Sequence, residues 1–303
     1  MTPPSSSHSG RGFLAFFERR ASALTITNLV AQIGIIATGG VVRLSESGLG
    51  CSTAPQCEPE SFLPSSIDSH TVIEFGNRIV GALIVAIAAS LAIAIWRSRP
   101  DLRWWATLPL AGSVFQAALG AASVRLDLDP RIVGLHMLTS VALVWVSTYV
   151  LLRHRGIGGS ALSSPVHVLR WVALAVFVPL ISLGILTTGA GPHSGDAEVT
   201  ERLNLDLEAV TRWHAAIVWL FVAVTAVIAI TLWRRRHRDA ENRARRAVTI
   251  LVTAIGFQGL VGYVQYFNDL PEVLVGIHGL GVGVLTAAFA AMFVIAGRPS
   301  TST

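Results

Sequence analysis

The feature that most constrains this chain is a set of eight long apolar segments, at about 24–42, 71–96, 104–124, 132–152, 171–190, 207–233, 248–267 and 273–296. A helix rises about 1.5 Å per residue and the bilayer's hydrocarbon core is about 30 Å thick, so roughly twenty apolar residues cross it as a helix. Lipid offers no partner to an open backbone, which leaves helices or closed barrels as spanning structures. Runs of helical length therefore predict an all-α membrane protein with eight transmembrane helices. Composition agrees: 14% of the residues are charged, against about 25% in soluble domains. Trp96, Trp104, Trp105, Trp171 and Trp233 stand at segment ends, where interfacial aromatics belong.

Charge sets the orientation. All 23 basic residues are Arg, and the formal net charge is +5. Such a balance could serve nucleic acid, but its distribution fits membrane topology better. The N-terminal tail, the loops near 97–103, 153–170 and 234–247, and the C-terminus hold 17 Arg and 4 acidic residues. The alternate loops hold 12 acidic residues and 4 Arg. The positive-inside rule then places both termini in the cytoplasm and the acidic loops outside. The first residues are polar and Ser-rich with no apolar core before a cleavage site, so they read as a disordered cytoplasmic tail and not a leader.

A repeat divides the chain. Phe115–Gly120 reads FQAALG, and the segment from Phe257 reads FQGLVG; twenty residues after each Gln stands a His, His136 and His278, so both pairs share an offset of 142. An even number of helices per unit makes both halves enter from the same side, as two parallel-repeat four-helix bundles related by an axis along the membrane normal. The expected organisation is a tail at 1–23, a first half at 24–152, a cytoplasmic linker at 153–170, a second half at 171–296 and a tail at 297–303.

Ionisable residues inside a membrane are costly and mark function. His136, His214 and His278 each lie about five to seven residues inside the outer end of a helix, or about 8–11 Å deep. Imidazoles at one depth suggest metal or haem ligation. Zinc wants three or four clustered ligands, whereas haem needs one or two axial ligands in a greasy pocket. Haem is therefore favoured, with Arg43, Arg78, Arg125 and Arg212 on the same side as partners for its propionates. Glu74 and Arg78 stand i,i+4, which suits an ion pair; a carboxylate one turn into a span also suits proton handling. Cys51 and Cys57 are the only cysteines. On the oxidising side they are expected to form a disulfide, with a structural staple and a redox role both open.

These residues resemble a known family. The run from Gly39 through Arg43 to Gly48, Gly50 and Cys51, then Cys57, then Glu74-Phe75-Gly76-Asn77-Arg78, and His136, His214 and His278 are similar to haem A synthases over about 24–296. The resemblance implies a membrane oxidoreductase in the cell membrane that oxidises the C8 methyl of haem O to a formyl group, giving haem A for terminal oxidase assembly. It implies a permanent haem b held by His214 and His278 in the second half. It places haem O in the first half, with His136 as ligand and Glu74 in acid–base chemistry or positioning. The family has a His where this chain has Asn77, so Asn77 lines the substrate site without the usual ligand. Partners implied are membrane lipid, a haem O synthase, the oxidase assembly machinery and an electron acceptor, with no nucleic acid. Two other readings fit parts of the pattern. A di-haem b-type electron carrier explains the histidines but gives Glu74 and the Cys loop no task. A transporter explains the repeat alone.

Overall fold

The computed structural model describes residues 8–65, 67–159, 164–234 and 239–297. The expected tail residues 1–7 and 298–303, and His237, lie outside them. Eight helices follow one another: α1 (His8–Leu44), α2 (Ser69–Ser98), α3 (Arg103–Arg125), α4 (Pro130–His154), α5 (Ser164–Ala190), α6 (Leu207–Trp233), α7 (Asp239–Phe267) and α8 (Glu272–Ile295). All eight are long and apolar enough to cross a membrane, and the chain is a multi-pass membrane protein. Three begin well before their apolar segments. Residues 8–23 continue α1 and are not an irregular tail, since no Gly or Pro interrupts the chain between Gly12 and Gly34. α5 likewise takes in the end of the expected linker, and α7 opens on charged residues.

Two ends can be distinguished: the loop end, which carries the Cys51–Cys57 segment, and the N-terminal end. Acidic residues at the loop end cap helices that start there. Asp68, Asp129 and Asp206 each accept a backbone N–H from the first turn of α2, α4 and α6, satisfying donors that a helix start leaves free. The Arg131 side chain bonds Asp129 and holds its carboxyl down at about 2. Arginines answer them at the N-terminal end, where the even-numbered helices stop. Arg99 donates to the carbonyls of Arg153 and His154 ending α4, Arg245 to that of Leu232 ending α6, and Arg170 to that of Phe293 ending α8. Cations at a helix C-terminus meet both the orphan carbonyls and the negative end of the dipole. The charge asymmetry that signals topology is thus also a capping system.

α1 packs on α2 and α4, and α3 lies between α2 and α4. α5 packs on α6, α6 on α7 and α7 on α8, while α8 meets α1 and α4 and α4 meets α5. The interiors differ. Around α5–α8 a large core contains Phe177, Phe221, Phe289, Leu232, Leu251 and Met292, with Phe177 and Phe289 ring centres 4.7 Å apart. Among α1–α4 the second core cluster is small, and the inner face of α1 buries Thr25, Asn28 and Gln32 instead.

Candidate functional site

Each of the three membrane histidines lies about two turns into a helix that starts at the loop end. Two sit in matching settings. Gln116 on α3 donates to the His136 carbonyl at 3.1 Å, and a Cβ added at Gly120 would lie 3.7 Å from the His136 ring. Gln258 on α7 donates to the His278 carbonyl at 3.0 Å, and a Cβ at Gly262 would lie 3.3 Å from the His278 ring. One helical turn separates Gln from Gly, so the pair makes a notch in which the amide grips the backbone and the missing side chain admits the imidazole. His214 is seated differently, against α5. Its Nδ1 lies 3.2 Å from the Leu180 carbonyl, and a Cβ at Gly184 would lie 3.1 Å from its ring.

The Nδ1 of His278 is buried without a hydrogen-bond partner. The bond from His214 to Leu180 fixes a tautomer with Nδ1 protonated, which leaves Nε2 available. The three imidazoles do not share one centre: among the described residues no three metal-ligating side chains converge. The arrangement is one His in the first half and two in the second.

The first half carries the rest of the expected site. Glu74 is 5% exposed and is the one buried carboxylate among the described residues. Its two oxygens are engaged by the Cys51 N–H, at 2.5 Å, and by Arg78. Asn77 accepts a hydrogen bond from Thr38 on α1 at 2.7 Å. The Cys51–Cys57 disulfide is formed. The loop it closes is gripped from below: Arg78 donates to the carbonyls of Thr53 and Gln56, and Arg125 to that of Ala54.

The other arginines do related work. Arg43 donates to the carbonyls of Thr188 and His193, joining the end of α1 to the segment after α5. Arg212 pairs with Glu208 on an exposed face. His70 bonds Ser47, and His193 bonds the Leu270 carbonyl. Gly48 donates to the Gly195 carbonyl at 2.7 Å, and a Cβ at Gly48 would strike that oxygen. Sequence reading assigned the arginines to a ligand and missed this loop scaffold. Its only sequence trace is the density of Gly, Ser and Arg between the spans. It also missed Gln116 and Gln258 as partners of the histidine backbone, although the repeat already aligned them.

Comparison with known proteins falls on these same elements. The family model for cytochrome oxidase assembly proteins, COX15-CtaA, matches residues 22–195. That stretch contains the disulfide loop, Glu74, Asn77 and His136 and stops before His214. A protein named heme A synthase from Halalkalibacterium halodurans is 33% identical over 132 residues, 42% of this chain and 43% of its own. One of that name from Alkalihalophilus pseudofirmus is 32% identical over 120 residues, 37% and 40% of the two chains. Another from Bacillus mycoides is 29% identical over 133 residues, 43% and 42%. The matched stretch spans less than half the length of each of these relatives. The family model covers more than half of the chain, and the chain belongs to the cytochrome oxidase assembly protein family, in which the haem A synthases are found.

Proposed function

We propose that this chain is a haem A synthase, oxidising the C8 methyl of haem O to a formyl group for the assembly of a terminal oxidase. The observation that carries the reading is the pair of matched imidazole notches, Gln116–Gly120–His136 and Gln258–Gly262–His278, in a chain whose relatives bear that name. In balance, –CH3 + H2O gives –CHO with release of four protons and four electrons, the electrons passing to dioxygen or a membrane quinone.

The second half fits a resident haem b. The Nδ1 of His214 is fixed by a carbonyl, that of His278 is buried unpartnered, and glycines admit both rings. These two residues would be its axial ligands, and when bound it supplies one-electron redox chemistry. The Phe-rich core lies in the same half. The first half takes haem O as substrate. His136 ligates it, and Asn77, a poor iron ligand held by Thr38, leaves the opposite side without a protein imidazole. Glu74 carries acid–base or positioning work, in contact with the disulfide loop through Cys51. Arg78, Arg125, Arg43 and Arg212 are the candidate partners for propionates, Arg78 being paired with Glu74.

The Arg asymmetry places both termini in the cytoplasm of a cell membrane, with the disulfide loop outside; topology reporters fused after residues 60 and 240 should report opposite sides. A haem O synthase would supply the substrate and the oxidase assembly machinery would take the product. The decisive experiment is haem extraction from protein purified with and without a haem O source. Haem A in the first sample, with haem b in both, is the expected result. Haem b alone in both would make the protein a di-haem electron carrier.

A further inference from the structure

Three polar side chains lie on the innermost stripe of α1, where a membrane helix ordinarily buries apolar ones. Thr25 and Asn28 are fully buried and Gln32 is 2% exposed. They continue into α3 and α4. Asn28 donates to Ser147 at 2.8 Å, and Gln32 to Ser113 at 3.0 Å. Gln116, one turn from Ser113, donates to Ser140 at 2.6 Å and to the His136 carbonyl. Towards the N-terminal end, Thr25 donates to the Ser22 carbonyl, and Ser22 bonds His154 at the surface. The side chains thus stand as polar rungs about one helical turn apart, from His136 towards the N-terminal end of the bundle.

The ladder is not satisfied from within. The amide oxygens of Asn28 and Gln116 are buried with no hydrogen-bond partner. A buried amide oxygen left bare costs about 1–3 kcal/mol, and protein interiors meet such groups with water that makes two to four hydrogen bonds. Each bare oxygen belongs to an amide whose nitrogen donates to a serine, Ser147 for Asn28 and Ser140 for Gln116, so a water at either oxygen has a hydroxyl one amide away. The second half provides the contrast. Gln258 also has a bare amide oxygen, but it is pressed against Gly281, and below it the interior is filled by Phe177, Phe221 and Phe289. A stripe of polar residues serving only to clamp helices together would use its acceptors as well as its donors. Here each amide donates, while the acceptors of Asn28 and Gln116 stay bare.

We infer that the first half holds a chain of internal water along Thr25, Asn28, Ser147, Gln32, Ser113 and Gln116, connecting the His136 site with the aqueous phase at the N-terminal end, and that this chain conducts protons. The amides hold the water, and water and the Ser hydroxyls carry the proton. The hydration stands by itself. The use made of it rests on the proposed oxidation, whose four protons must leave the site.

Water can be located by brief X-ray hydroxyl-radical labelling of the full-length protein in nanodiscs, because only side chains beside water are oxidised. Gln32→Met places a thioether of similar size in the track, and native Met292, 1% exposed in the second-half core, is the internal standard. The introduced thioether should be oxidised severalfold faster than Met292; equal slow rates would overturn the water chain. Val144→Met, on the same face of α4 between Ser140 and Ser147, repeats the measurement with every ladder residue intact, should Gln32→Met fail to fold. Adding Asn28→Leu to Val144→Met should lower the rate towards that of Met292, and an unchanged rate would remove Asn28 from the track. Asn28→Leu alone should slow haem O conversion severalfold and raise its solvent deuterium isotope effect at unchanged haem content. Unaltered conversion and isotope effect would overturn the proton role. A parent protein that converts no haem O defeats the proposed function, while the labelling still decides the water.

Discussion

Glycine positions around the histidines give a graded prediction. An alanine at Gly184 would put its Cβ 3.1 Å from the His214 ring, one at Gly262 3.3 Å from that of His278, and one at Gly120 3.7 Å from that of His136. The last distance is ordinary contact, whereas the first two require the ring to give way by a few tenths of an ångström. His214 cannot yield freely, because its Nδ1 is tied to the Leu180 carbonyl on the same helix as Gly184. Overpacking a tight site costs about 1–3 kcal/mol, and replacing a mid-helix Gly by Ala returns about 1 kcal/mol of propensity. The net for Gly184→Ala is roughly 0–2 kcal/mol, up to about a 30-fold loss in affinity for a ligand held by the ring. Gly120→Ala keeps the propensity gain with no clash. Haem b per protein, measured by pyridine haemochrome on detergent-purified samples, should fall in the order Gly120→Ala, Gly262→Ala, Gly184→Ala, with Gly120→Ala equal to the parent. Thermal melts should place Gly120→Ala at or above the parent. Equal haem b content and melting temperature in all three variants would show that the notches do not seat the rings.

Three further outcomes follow from the same geometry. His214→Ala and His278→Ala should each strip the low-spin haem b spectrum, while His136→Ala leaves it; the reverse pattern would exchange the roles of the halves. Asn77→His should turn the first-half haem into a six-coordinate, low-spin species, readable in the optical spectrum of protein loaded with haem O, and no change would mean that Asn77 does not face the iron. Asp129→Ala removes the cap of α4 and should cost about 1 kcal/mol. The carboxyl's folded value of about 2 lies below its ordinary 3.8, so the contribution is present above the ordinary value and is lost only as pH falls through about 2. The melting deficit of the variant should therefore be the same at pH 5 and pH 7.

Much of this was legible in the sequence because the membrane reduces the choices. Apolar run length yields the eight helices, and α6 matches its expected bounds at both ends. The early starts of α1, α5 and α7 were not legible, because hydropathy marks where a helix enters hydrocarbon and not where it begins: polar residues continue a helix in water at little cost. The histidines stood out by depth and by the repeat. The arginines hold more than their sequence positions announce: carbonyls of Thr53, Ala54, Gln56, Thr188 and His193 accept from Arg78, Arg125 and Arg43, and every residue has a carbonyl, so no pattern of side chains signals one. Glu74 shows the same limit. Its i,i+4 partner Arg78 was readable, whereas the Cys51 N–H, far away in sequence, was not.

The difference between the two interiors argues that the halves have separate tasks even though their imidazole notches match. A resident one-electron centre gains from rigidity and dryness, since a fixed pair of ligands and an apolar surround keep reorganisation small. Phe177, Phe221 and Phe289 give the second half an apolar interior of that kind, and the Leu180 carbonyl fixes the His214 ring. A site that converts its ligand must instead admit a substrate, leave a face of it free and exchange protons with water. The first half differs in the directions that the proposed conversion needs: Asn77 in place of a second imidazole, His136 as its one membrane histidine, a buried carboxylate at Glu74 and polar side chains from Thr25 to Gln116. Such a division also accounts for the pattern of imperfection in the repeat. Gln, Gly and His persist in both halves because both must seat a ring. The residues around them differ because an interior cannot be dry for one purpose and wet for the other.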